Sequence, residues 1–197
     1  MNLSFLSFIV SDIIMNNLKL LVVILLIMLA GEVFMNIFTV SFFGHRQITN
    51  SDEAEKHLEK QITELLLTKE YVEFLIGRDG EFDQLVTSTI RRCKRTIRDD
   101  NSALVLILPY STAEYQNNEQ SFNEYYDEIE ICEKSAKCHF KSAHQIRNRS
   151  MIDRSNQVIF WVEHKNGGAY QTMQYARKQN SAFINLAKNV LDLQIDI

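Results

Sequence analysis

The sequence predicts an α/β fold: an open, mainly parallel sheet of about five strands with helices on both faces, preceded by an apolar N-terminal segment. Three observations predict it. From Ile37 onward, short apolar runs alternate with segments of helical periodicity, as a succession of strand–helix–strand units requires. The run "ALVLILP" (103–109) is apolar throughout, as a strand buried on both faces should be. Of the six glycines, all except Gly31 fall just past a predicted strand, and the only proline, Pro109, ends one.

The elements follow in order. "IFTVSFF" (37–43) reads as the first strand. "SDEAEKHLEKQITELLL" (51–67) reads as a helix with Ser51 or Asp52 as its cap. "YVEFLI" (71–76) is the second strand. "DQLVTSTIRRCKRTI" (83–97) is a helix whose apolar face is Leu85, Val86, Ile90, Cys93 and Ile97. After the third strand comes an acidic, aromatic stretch (114–134) without clear periodicity, read as a solvated lid or insertion. "FKSAHQIRNRSMIDRS" (140–155) is helical, with Ala143, Ile146 and Met151 as its core face. "QVIFWV" (157–162), "GAYQTMQYARKQ" (168–179) and "AFINLA" (182–187) complete the pattern as strand, helix, strand. The architecture is Rossmann-like.

In such a sheet the loops after the strands share the carboxyl edge, where ligands bind at the switch in strand order. Bare backbone N–H groups and helix N-termini there suit an anion. The clustering of Gly44, Gly77, Gly80, Gly167 and Gly168 on that edge, with Pro109, therefore marks the expected ligand site. His45 and Arg46 are read as donors to a phosphate or base. Asp83 has two roles open, helix N-cap and acceptor from a ribose hydroxyl. Arg147, whose planar fork suits phosphate or carboxylate, is the best anion partner, with Asn148 beside it. Arg78 and Asp79 sit in the same loop, where Asp79 would repel a phosphate. Trp161 and Tyr170 flank the Asn166-Gly167-Gly168 turn, with core packing favoured over base stacking. The basic run "RRCKR" (91–95) is read as a solvated helix end favoured by the macrodipole.

A net charge of −4 argues against nucleic acid as a partner, since phosphate contacts need a basic surface. With 46% hydrophobic and 23% charged residues, the 197-residue chain is globular. Three cysteines without metal or redox spacing read as reduced thiols of the cytoplasm. No metal or cofactor is expected. The run "LLVVILLIMLA" (20–30) falls short of the about 20 residues a membrane helix needs, and Met28-Leu29-Ala30 is a poor signal-peptidase site. Residues 1–34 are accordingly read as an apolar leader before a domain at 35–197. Two readings of the leader stay open. The preferred one is a translation start at Met35, because codons for Gly31-Glu32-Val33 can resemble a ribosome-binding site. The other is a membrane tether.

The ordered set "FFGHR", "GRDGEFD", "IRNRSMIDRSNQVIFWV", "NGGAYQTMQYA" and "INLA" resembles the SLOG superfamily, the Rossmann-like group that unites the DprA/Smf and LOG proteins. It looks closest to the YpsA/YoqJ-like branch of Gram-positive bacteria and their prophages, and spans about residues 36 to 187. The resemblance implies a nucleotide or nucleotide-derived ligand, with a role as sensor or carrier in a bacterial or prophage stress system. A homodimer is a further expectation, since relatives in this fold often dimerise. LOG enzymes cleave the N-glycosidic bond of nucleoside monophosphates, using R-K-x-x-M and P-G-G-x-G-T-x-x-E. Arg147 matches the catalytic arginine, and Gly167 and Gly168 match the phosphate-cradling glycines. Gln174, however, stands where the glutamate should be, and a neutral amide cannot stabilise an oxocarbenium-like centre as a carboxylate does. Hydrolysis would then need another carboxylate, for which Asp127 and Glu128 are the candidates, so a binder is favoured over a phosphoribohydrolase.

Overall fold

The computed structural model describes residues 35–187 together with Lys19, Leu21 and Val22. The chain divides into two compact units, Met1–Met35 and Asn36–Ile197. Apart from those three positions, the expectations for the leader lie outside the described residues. Among the described residues no helix is long and apolar enough to cross a membrane.

The second unit carries a sheet of six strands, all parallel: β1 (Ile37–Gly44), β2 (Tyr71–Ile76), β3 (Ser102–Leu108), β4 (Glu128–Ile131), β5 (Gln157–Trp161) and β6 (Phe183–Asn185). Their order across the sheet is β4-β3-β2-β1-β5-β6. The helices are α1 (Ser51–Thr68), α2 (Glu81–Thr96), α3 (Ala113–Asn117), α4 (Glu119–Tyr125), α5 (Glu133–Ala136), α6 (Phe140–Arg154) and α7 (Gly167–Lys178).

Strand side chains alternate between the two faces, and each face has its own core. Val40, Phe42, Phe74, Ile76, Leu104 and Leu106 pack against α1 through Leu58, Ile62 and Leu66 and against α2 through Phe82, Val86 and Ile90. Phe43, Leu75, Val105, Ile107, Val158 and Phe160 pack on the other face with Met151 and Ile152 of α6 and Met173 and Ala176 of α7. β3 is buried along its whole length, as its continuous apolar run requires.

The sequence reading missed β4 and with it the sixth strand. Its residues are Glu-Ile-Glu-Ile, and it is an edge strand paired only with β3, so charge alternates where a central strand would be apolar. Glutamates on an edge strand discourage pairing with another chain. Here the outer carboxylate is also held by a double hydrogen bond from Arg154 to Glu130, at 2.7 and 2.9 Å. The acidic stretch before it is no lid. It folds as α3 and α4, anchored by buried Phe122 and Tyr126. The cap of α1 is Asn50, whose side chain accepts from the Glu53 N–H, rather than Ser51 or Asp52.

The run at 91–95 is mostly paired rather than solvated. Lys94 is buried and donates to Asp127 at 2.5 Å and to the Ser102 carbonyl at 3.0 Å, while Arg92 meets Glu55 at 2.5 Å. Ile97, expected on the apolar face of α2, lies exposed at its C-terminal end, and Phe82 joins the buried face in the first turn.

Gly44 ends β1 directly under Phe82, and a Cβ there would overlap the phenyl ring. Gly44→Ala is expected to cost about 1–3 kcal/mol through overpacking, measured by urea unfolding. Adding Phe82→Leu should recover part of the loss in the same measurement.

Candidate functional site

β1 to β4 build outward on one side, and β5 and β6 lie on the other, so strand order reverses between β1 and β5. The loops leaving those two strands diverge and open a crevice at the carboxyl edge. The crevice is a cleft of about 620 Å³, within the usual range for small-molecule sites. Ten of the eleven expected residues line it: Gly44, His45, Arg46, Gly77, Gly80, Asp83, Arg147, Asn148, Gly167 and Gly168. Pro109 does not. Its carbonyl accepts from the Ser135 hydroxyl at 2.6 Å, which fixes the turn after β3. Trp161 is buried in the core, and Tyr170 packs against the α6/α7 layer, so neither lines the cleft.

Most of the glycines are explained by the protein's own packing. A Cβ on Gly80 would sit 2.6 Å from the Arg46 Cα, and the Glu81 N–H donates to the Arg46 carbonyl at 2.8 Å across the same gap. A Cβ on Gly77 would enter the Arg147 guanidinium. The expectation that this loop stays bare for an anion is therefore corrected: Gly77 leaves room for Arg147 and Gly80 for the Arg46 backbone. Gly167 differs. Its φ of +79° is a left-handed conformation that suits glycine, and the space around it is open, with only His45 Nδ1 at 4.0 Å. It opens α7, whose N-cap Asn166 makes no side-chain cap bond.

Arg147 is 3% exposed. It donates to Asp79 Oδ2 at 2.6 Å and to the Ile107 carbonyl at 3.2 Å, and its Nε has no partner. The alternative partner envisaged for it, the acidic stretch, is not involved. His144, one turn earlier on α6, places Nδ1 2.9 Å from the same Asp79 oxygen. The i, i+3 spacing places His144 and Arg147 on one face of α6, but their shared partner Asp79 lies 65 and 68 positions away in sequence. Asn148 donates to Thr172 Oγ1 at 3.1 Å, and its own Oδ1 is buried without a partner.

Asp83 is not the N-cap of α2, a position taken by Gly80. It lies in the first turn and accepts the Asp79 N–H at 2.8 Å. Burial pushes its carboxyl up to about 6, against the opposing pull of the Arg147 charge and the Asp79 hydrogen bond. His45 stacks on His164, with ring centroids 3.7 Å apart, and its Nε2 accepts the His164 N–H at 3.4 Å. Burial first, and the neighbouring imidazole second, hold His45 below its ordinary value. His164 and His144 had no place in the sequence reading. Arg46 is exposed and forms no side-chain hydrogen bond or ion pair among the described residues.

The cleft thus holds two arginines and two aspartates. The features in it that suit an anion are the exposed guanidinium of Arg46 and the uncapped first turn of α7. Asp127 and Glu128, the candidate carboxylates for hydrolysis, sit at the opposite, amino edge of the sheet, where Asp127 caps the Leu104 N–H at 2.7 Å. Gln174 does not line the cleft either. Among the described residues no group of three or more His, Cys, Asp or Glu side chains could hold a metal.

No family model and no curated protein matches the sequence. Solved structures do match in fold. DNA processing protein A from Helicobacter pylori aligns with a TM-score of 0.55 and 19% identity, over 78% of this chain and 67% of that one. DNA processing protein A (DprA) from Streptococcus pneumoniae aligns with a TM-score of 0.56 and 14% identity, over 80% of this chain. The chain spans about half the length of the latter, 53%. It has the Rossmann-like fold of the DprA proteins. These structures overturn one expectation. The Helicobacter protein is described by its single-stranded DNA binding mode, so this fold does not argue against nucleic acid. Net charge averages over the whole surface, whereas phosphate responds to the local field.

A carboxyl raised from 3.8 to about 6 binds its proton more tightly in the folded protein than in the unfolded chain. Asp83 therefore costs stability as pH rises through that interval, by roughly 2–3 kcal/mol once it is ionised. Asp83→Asn is expected to raise the unfolding free energy at pH 8 and to leave it unchanged below about pH 4. Urea unfolding of both proteins at the two pH values reads this directly.

Proposed function

We propose that the chain binds a nucleotide or nucleotide-derived small molecule in the switch-point cleft, with its phosphate on the first turn of α7. The observation that carries this reading is the coincidence, in one cleft, of an uncapped helix N-terminus at Gly167–Ala169 with the exposed guanidinium of Arg46. Free N–H groups and the positive end of the helix dipole favour an anion there. The buried Nε of Arg147 and Oδ1 of Asn148, both without partners, leave further polar capacity beside it. Asp83 supplies an acceptor for a sugar hydroxyl. Membership of the YpsA/YoqJ-like branch, and a role as sensor or carrier in a bacterial or prophage stress system, rest on the sequence motifs.

Arg147 is a poor primary anion ligand, because Asp79 already neutralises it. Its role is to hold the β2–α2 loop in place, and removing it would leave Asp79 without its partner. Arg46 is the side chain that reaches the phosphate. A phosphoribohydrolase would have to use Asp79 or Asp83, the carboxylates of the cleft.

A second reading is favoured by one observation, the fold shared with a single-stranded-DNA-binding protein. In it, the same phosphate contacts hold a nucleic-acid backbone.

Calorimetric titration of the full chain with adenosine monophosphate is expected to show binding that weakens about ten-fold in Arg46→Ala, the loss of one charge-assisted contact. Affinity should rise as pH falls from 8 to 6, because Asp83 loses its negative charge near 6. Fluorescence anisotropy with labelled single-stranded DNA tests the second reading. Oligonucleotide binding with no response to mononucleotides selects it, and silence from both ligands overturns both readings.

A further inference from the structure

The switch-point cleft has a neighbour. Beyond Gly77 and Asp83 lies a second cleft of about 880 Å³ between α2 and the α4 region, and those two residues line both spaces. The chemistry changes across that ridge. The first cleft holds Arg46 and the α7 N-terminus. The second holds the carboxylates of Glu81 and Glu114, and its one cation among the described residues, Arg78, is already bonded to Glu114 at 2.5 Å and lies over the Phe122 ring at 4.4 Å. Such a lining repels phosphate and suits hydroxyl and amino groups.

The wall of the second cleft is an aromatic ring held in place. Tyr125 is 40% exposed, with the Arg91 guanidinium 4.2 Å from its centroid and Tyr126 edge-on at 5.0 Å. Arg91 also donates to the Tyr125 carbonyl, which pins the residue at both ends. A ring immobilised in this way loses little entropy when a base stacks on it, and base–aromatic stacking tolerates any base. Exposed Gln84 and Ser88 on α2 add donors and acceptors beside it.

We propose that the second cleft is a nucleoside subsite, and that the ligand carries two nucleosides joined through phosphate. One nucleoside and the phosphate occupy the switch-point cleft, and the second nucleoside reaches past Gly77 and Asp83 to lie against Tyr125. The inference rests on the nucleotide reading above. Two nucleosides so joined occur in a free dinucleotide and in successive residues of a single strand.

The test is calorimetry of the full chain with adenosine monophosphate, 3′,5′-linked diadenosine monophosphate, 5′,5′-linked diadenosine diphosphate and an eight-residue single-stranded DNA. At least one two-nucleoside ligand should bind ten-fold or more tighter than the monophosphate. Tyr125→Ala, and independently Ser88→Tyr to fill the cleft, should abolish that gain while leaving monophosphate binding unchanged. A gain confined to the dinucleotides identifies a small molecule, and a further gain with the longer DNA identifies a strand. Equal affinity for one and two nucleosides, or equal weakening of both by the variants, overturns the subsite while the nucleotide reading stands. Failure of the monophosphate and of every longer ligand overturns both.

Discussion

The carboxyl edge is organised around one buried cation. Arg147 reaches from α6 to Asp79 after β2 and to the Ile107 carbonyl in β3, so one side chain ties together a helix, a loop and a central strand. Burying a guanidinium is unfavourable unless it is paired and hydrogen-bonded, and the loop is shaped to meet that condition. Gly77 leaves room for the guanidinium, and Asp83 holds the Asp79 backbone in place. The same constraint sets the electrostatics of the cleft. A cation already matched by a carboxylate gives little net field, so in the proposed reading the anion is assigned to Arg46 and the open turn of α7 instead.

A functional reading of this protein therefore separates two kinds of residue that the sequence presents alike. Gly44, Gly77 and Gly80 are glycine because the protein's own atoms press against them, whereas Gly167 stands in a left-handed conformation with open space before it. Arg147 and Arg46 both line the cleft, but only Arg46 is unpaired among the described residues. The two clefts divide the chemistry similarly, with anion-binding features on one side of the Gly77–Asp83 ridge and carboxylates with an immobilised aromatic ring on the other.

Much of this was legible beforehand. Strands buried on both faces announce themselves as continuous apolar runs, so β1, β2, β3 and β5 were read to within a residue or two of their ends, and parallel order follows from the helices between them. The carboxyl-edge position of the cleft follows from the same logic. What stayed hidden depends on contacts distant in sequence. β4 is a four-residue edge strand whose Glu-Ile-Glu-Ile pattern makes sense only beside β3 and Arg154. The Arg147–Asp79 pair joins residues 68 positions apart. Asp83 looked like a cap because a carboxylate near a helix start usually is one, and three residues of register decide otherwise. Net charge misled for a different reason: it carries no information about where charges lie.

The most direct test of the central claim is backbone amide NMR of the full chain during titration with adenosine monophosphate. An anion seated on α7 must perturb the amides of Gly167, Gly168 and Ala169 most strongly, with Arg46 following at the same concentrations. Perturbations centred instead on the amino edge of the sheet, around Asp127 and Leu104, would contradict the assignment of the ligand site to the switch point.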